Sequence, residues 1–299
     1  MNKMQPGGSS LNSSKWIWRI TASVSVIVTI ILIAGFIYAV QDINAPVADS
    51  AFRQGNADKP KEDADAHEPG TKAGSAEGSA KPPELPEQLK ITAIGDSLAK
   101  GTGDSTGSGF VRRSIEMLNE GGRKSELLNN LAINGLTTEG LLQKLEEKGI
   151  RYALKQADLI LLSIGGNDLF DGSGLVKNGQ AGAGELDPKQ LVAAIPKATE
   201  RLKLILKEIR AINPEARVVY VGLYHPFADL KELLLAGNVA VSTWNHAALQ
   251  IVNRDPNMVM VPTFDIFQGK LDKFLSSDHF HPNGEGYQMI AQRIAQGIL

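Results

Sequence analysis

From Leu89 onward, five short apolar runs recur along the chain: "KITAIG", "ELLNNLAI", "DLILLSIGG", "RVVYVGLY" and "NMVMVPTF". Their apolar residues are largely consecutive rather than alternating, the pattern of strands buried on both faces. Between them stand "FVRRSIEMLNE", "TTEGLLQKLEEKG", "ATERLKLILKEIRAI" and "VSTWNHAALQIVN", which read as amphipathic helices. In the third, Leu202, Leu206 and Ile209 recur at helical spacing, while Lys203, Lys207 and Glu208 fall mostly elsewhere. A last helix is expected from about Asn283. Strands alternating with helices predict an α/β fold, a three-layer, doubly wound parallel sheet of five strands. No internal repeat is visible.

In open sheets of this kind, ligands bind beyond the carboxyl ends of the strands. The first run ends at Gly95-Asp96-Ser97-Leu98, the second near Asn134-Gly135 and the third at Gly165-Gly166-Asn167-Asp168. After the fifth comes "SSDHFHPNGEGY", with Asp278 and His281. The fold would bring these four distant clusters to one rim. The residue types suit acyl transfer. A serine hydroxyl, Ser97, becomes nucleophilic beside a base, and His281 can be that base. Asp278, three residues earlier, can orient the imidazole from the same turn. The tetrahedral oxyanion needs preorganised donors, and the Ser97 N–H, the Gly135 N–H and the Asn167 amide are candidates. Gly135 suits this because the absence of Cβ lets a substrate approach the backbone.

Other readings compete for the same residues. An Asp-Ser pair is often a helix cap or turn. Asn167 and Asp168 are common turn residues that bond the local backbone; for Asp168 and Asp96 a bracing role is expected. Asp278, His279 and His281 could serve as metal ligands, but no further histidine cluster accompanies them and the chain has no cysteine. A phosphate loop requires glycine before lysine, and here Lys100 precedes Gly101. The Gly-x-Ser-x-Gly elbow fails because Ala99 replaces its last glycine. His225 in "LYHPF" is either a substrate neighbour or a loop histidine, and His246 reads as a helix residue.

Taken in order, "GDSL" at 95–98, Gly135 in "NLAINGLT", "GGND" at 165–168 and "DHFH" at 278–281 resemble the blocks of the SGNH or GDSL hydrolases. The resemblance spans about residues 89–299. It implies a flavodoxin-like hydrolase fold with Ser97 as nucleophile, His281 as base, Asp278 as its orienting partner, and Ser97, Gly135 and Asn167 as oxyanion donors. It implies ester hydrolysis through an acyl-serine intermediate, with no cofactor and no metal. The glycine-rich continuation and the N-terminal region resemble a bacterial, membrane-anchored lipase or acylhydrolase branch. A cell-wall or polysaccharide O-deacetylase, or a non-catalytic module binding glycan or lipid, are the alternatives. Residues 171–184, "DGSGLVKNGQAGAG", are either a mobile lid or a passive insertion.

The remaining sequence concerns placement. Residues 20–41, "ITASVSVIVTIILIAGFIYAVQ", carry no charge. As a helix they would cover roughly the ~30 Å hydrocarbon core of a bilayer. Lys3, Lys15 and Arg19 precede this segment, and Asp42 and Asp49 follow it. The positive-inside rule then predicts residues 1–19 as a short cytoplasmic tail, residues 20–41 as a single-pass anchor and everything beyond as extracellular. A cleaved signal peptide is the rival, though its apolar core is usually ~7–15 residues. Residues 42–88 hold ten acids, five bases and little apolar content, and read as a disordered linker reaching roughly 40 Å. That leaves 23 charges of each sign in 89–299, with no electrostatic footprint for nucleic acid. The expected partners are an ester substrate and the membrane.

Overall fold

The computed structural model describes residues 19, 22–25, 27–33, 84–170, 176–177, 180–181 and 188–299. The chain divides into two units, 1–73 and 74–299, each taken by itself. In the first, residues 22–25 and 27–33 are helical, and Val24, Ile27 and Ile30 to Ile33 are exposed. Among the described residues no helix is long and apolar enough to cross a membrane. The remainder of the anchor expected at 20–41, and the linker expected at 42–88 up to residue 83, lie outside the described residues.

Among its described residues the second unit holds seven strands: β1 (Gln88–Gly95), β2 (Lys124–Asn130), β3 (Leu159–Ser163), β4 (Val176–Lys177), β5 (Gln180–Ala181), β6 (Arg217–Val221) and β7 (Met258–Val261). Five of them form one parallel sheet in the order β2-β1-β3-β6-β7. The five apolar runs correspond to these five strands. β4 and β5 pair antiparallel within the 171–184 segment; the rest of that segment lies outside the described residues.

The central strands are buried on both faces, as consecutive apolar residues require. In β3, Leu159 and Leu161 face one core while Ile160 and Leu162 face the other. The first core is closed by helices Gly109–Glu120 and Gly284–Ile298, through Phe110, Leu118, Tyr287 and Ile290. The second is closed by helices Thr138–Lys144, Ile195–Ile212 and Lys231–Val252, through Leu141, Leu202, Ile205 and Trp244. Burial on both faces does not extend to β2 and β7. They are the sheet edges, and most of their residues keep partial exposure.

β1 and β3 end side by side, with Gly95 registered against Ser163. A Cβ on Gly95 would lie 1.8 Å from the Ser163 carbonyl oxygen, and its φ is +134°. Only glycine lets the chain leave β1 this close to its neighbour. The next residues turn directly into a short helix, Ser97–Lys100, at the carboxyl end of the sheet.

Candidate active site

Asp96 caps that helix, its Oδ1 accepting from the Leu98 N–H at 3.0 Å. Ser97 is therefore the first helical residue, where backbone N–H groups have no intrahelical acceptor. The Ser163 hydroxyl fixes the turn from β3. It donates to Asp96 Oδ1 at 2.7 Å and accepts the Ala99 N–H at 3.0 Å. Burial pushes the Asp96 carboxyl up to about 6, against the lowering effects of the Ser163 and Leu98 hydrogen bonds and of nearby His281.

Opposite this turn, residues 275–282 fold back on themselves, with Leu275 bridging Pro282. His279, at the bend, has a φ of +53° and is exposed. The bend directs Asp278 and His281 to the same side. His281 Nδ1 lies 2.7 Å from Asp278 Oδ2, and His281 Nε2 lies 2.7 Å from Ser97 Oγ. Ser97 and His281 are almost fully buried, at 4% and 2% exposure. Asp278 Oδ1 accepts from the Ser276 hydroxyl at 2.7 Å and from the backbone N–H groups of Phe280 and His281 at 3.0 and 2.9 Å. Partial burial opposes ionisation of Asp278. The His281 ring and these three donors outweigh it and hold the carboxyl well below the usual carboxylate range.

Asn167 is the second residue of the helix Gly166–Phe170 after β3 and is buried. One hydrogen of its amide is spent on the Leu136 carbonyl at 2.9 Å. Gly135 precedes that carbonyl, with a φ of +73°, on the loop between β2 and helix Thr138–Lys144. Asn134, on its other side, accepts from the Thr102 hydroxyl at 2.9 Å. The loop carrying Gly135 is thus tied both to the segment after Ser97 and to Asn167. Among the described residues, neither the Ser97 nor the Gly135 backbone N–H has a protein acceptor. Asp168 is bonded to the neighbouring helix. Its carboxylate takes the Thr138 N–H at 2.9 Å and the Thr138 hydroxyl at 2.6 Å, bracing the start of the neighbouring helix.

Sequence reasoning missed three supports. Ser276 and Ser163 act through Asp278 and Asp96. The Tyr224 hydroxyl donates to the Phe280 carbonyl at 2.6 Å. A lone hydroxyl inside the apolar run "DLILLSIGG" was the one available hint of Ser163; the partners of Ser276 and Tyr224 depend on the tertiary fold. His225 is buried behind the site, parallel to the Phe170 ring at 6.3 Å, with Nε2 3.2 Å from the Leu233 carbonyl. His246 is exposed on its helix, 3.0 Å from Gln250. Ser97, Asn167 and His281 line one cavity with Phe170, Leu223 and Phe280.

The chain is similar to known proteins in sequence and fold. The GDSL-like Lipase/Acylhydrolase family profile matches residues 93–289. The chain is 34% identical over 229 residues to the uncharacterized protein YpmR of Bacillus subtilis (strain 168), covering 75% of this chain and 88% of that one. It is 28% identical over 211 residues to the spore germination lipase LipC of Bacillus licheniformis, covering 69% and 94%. Among solved structures it is similar to the lipase Lip_vut3 from a goat rumen metagenome, at 26% identity and a TM-score of 0.59, over 70% of this chain and 96% of that one. With the matched profile spanning residues 93–289, most of the second unit, the chain belongs to the GDSL-like lipase/acylhydrolase family and is a GDSL-type esterase.

Proposed function

We propose that this esterase works through an acyl-enzyme formed on Ser97. As Ser97 Oγ attacks the ester carbonyl, His281 Nε2 takes its proton, and Asp278 stabilises the imidazolium through Nδ1–H. The carbonyl oxygen becomes an oxyanion held by the Ser97 and Gly135 N–H groups and the second hydrogen of the Asn167 amide. His281 then returns the proton to the departing alkoxide or thiolate, leaving acyl-Ser97. Water enters, gives a proton to His281 and attacks the acyl carbon. Collapse of the second tetrahedral species releases the acid and restores the Ser97 hydroxyl.

The observation that carries this reading is the unbroken line Asp278–His281–Ser97, with 2.7 Å at each junction. The Ser97 and Gly135 N–H groups, with no protein acceptor among the described residues, support the oxyanion assignment, and the lipase named among the relatives supports an ester substrate. Replacing Ser97 by Ala tests it. Turnover of p-nitrophenyl esters is expected to fall by on the order of 10⁶ if the three residues act as a unit. Turnover that survives the substitution would overturn the acyl-Ser97 route.

We also propose that the domain sits at the outer face of a membrane, held by an anchor at residues 20–41 and a linker at 42–88. This placement rests on the uncharged run and the flanking charges of the sequence. Protease added to intact cells is expected to digest the 89–299 domain, and full protection would overturn the placement.

A further inference from the structure

The cavity beside Ser97 is small. Beyond Ser97 its wall is apolar: Leu98, Phe170, Leu223, Tyr224, Pro226 and Phe280. Its volume is about 40 Å³. That is far below the ~300–1,000 Å³ of pockets that enclose a drug-sized ligand, so only a small group fits inside it.

The wall cannot readily recede. Phe170 and Phe280 meet edge to face at 6.0 Å. Phe227 packs behind both, edge-on to Phe170 at 5.5 Å and stacked on Phe280 at 5.8 Å. His225 lies parallel to Phe170. All four rings are buried, with at most 7% exposure. A longer chain directed into this wall would have to displace a filled aromatic layer, and overpacking a close-packed interior is unfavourable. Phe280 is also the residue before His281 and lies edge-on to its imidazole, at 4.9 Å. Movement of this wall would therefore disturb the base.

We propose that this aromatic wall makes the acyl subsite a short-chain site, taking acetyl to butyryl groups, with Phe170 as the residue that limits length. The proposal rests on the acyl-Ser97 reading above. Within the cavity each added methylene gains up to about fourfold in transition-state binding, and beyond it the gain reverses.

The test is kcat/KM of the full chain on p-nitrophenyl acetate, butyrate, hexanoate, octanoate and decanoate, each kept monomeric. The values are expected to peak at or before butyrate and to fall at least tenfold by octanoate. Phe170→Ala is expected to move the peak to hexanoate or longer, and Phe170→Leu to move it less; the milder change serves if the first variant does not fold. Wild-type values that keep rising through octanoate would overturn the short-chain site. An unshifted profile in a folded Phe170→Ala variant would overturn the role of Phe170. Absence of turnover on every ester would instead strike the acyl-Ser97 reading, and the subsite with it.

Discussion

The Tyr224 hydroxyl and the Phe280 carbonyl, 2.6 Å apart, clamp one side of the peptide that leads into His281. The N–H of that same peptide is held on the other side by Asp278 Oδ1, at 2.9 Å. Burial, with the carboxylates of Asp278 and Asp96 nearby, pushes the Tyr224 phenol well above its ordinary range and keeps it a donor. The peptide is thereby fixed at both ends, and with it the direction of the imidazole.

Tyr224→Phe removes this bond while keeping the ring. An unpaired buried carbonyl is expected to cost about 1–3 kcal/mol of stability. Loosening the base should lower kcat by about tenfold while leaving KM nearly unchanged, because misplaced catalytic groups cost turnover. Steady-state kinetics with urea unfolding checks both. Unchanged kcat in the folded variant would show that the clamp does not position His281.

Asp96 gives a pH-dependent signature in stability. Its folded pKa of about 6 lies above the ordinary 3.8 because of burial. Between those values the folded state holds a proton that the unfolded chain has released. The contribution of this group is therefore greatest below about pH 4 and is lost as pH rises through about 6. By linkage the full loss is roughly 3 kcal/mol. Asp96→Asn removes this dependence, so relative to wild type the variant should gain stability between pH 4.5 and pH 8. Equal stability differences at the two pH values would contradict the burial of an ionisable Asp96.

Asp278 behaves in the opposite sense. Partial burial works against its ionisation, but the His281 ring, two backbone donors and Ser276 hold its pKa below the ordinary range. Its contribution is present above about pH 4 and is lost as pH falls through the depressed value. Asp278→Asn should therefore narrow its stability gap from wild type on acidification. Its kcat should fall by about 10⁴, since an amide no longer enforces the donor tautomer at Nδ1. A kcat within a few-fold of wild type would argue against Asp278 as the orienting group.

Asn167→Ala removes an amide that has one hydrogen committed to Leu136 and one left for the reacting carbonyl. A loss of about 10²–10³ in kcat with little change in KM is expected for an oxyanion donor. A purely structural loss would appear in stability with near-normal kcat, and parallel unfolding measurements distinguish the two.

Much of this architecture was legible in the sequence because it follows from local pattern. The run "DLILLSIGG" has apolar residues on both faces of a strand, and β3 is buried on both faces. "ELLNNLAI" looked much the same, yet β2 is an edge; strand order is set by long-range pairing that no single run encodes. The helix expected from "VSTWNHAALQIVN" begins ten residues earlier, at Lys231. Gly237 interrupts its pattern for a tertiary reason: a Cβ there would lie 2.2 Å from the His225 ring. Ser97, Asn167, Asp278 and His281 stood out as unusual polar residues near expected strand ends. Ser163, Ser276 and Tyr224 did not, because ordinary residues of these types become supports only when the fold brings Asp96, Asp278 and Phe280 beside them.

The most direct measurement of the central claim is the site of attachment of a fluorophosphonate, located by mass spectrometry in the full chain. The expected result is a single adduct on Ser97, formed in parallel with loss of esterase activity and greatly slowed in His281→Ala. A stoichiometric adduct on a different serine, or complete inactivation with Ser97 unmodified, would contradict it.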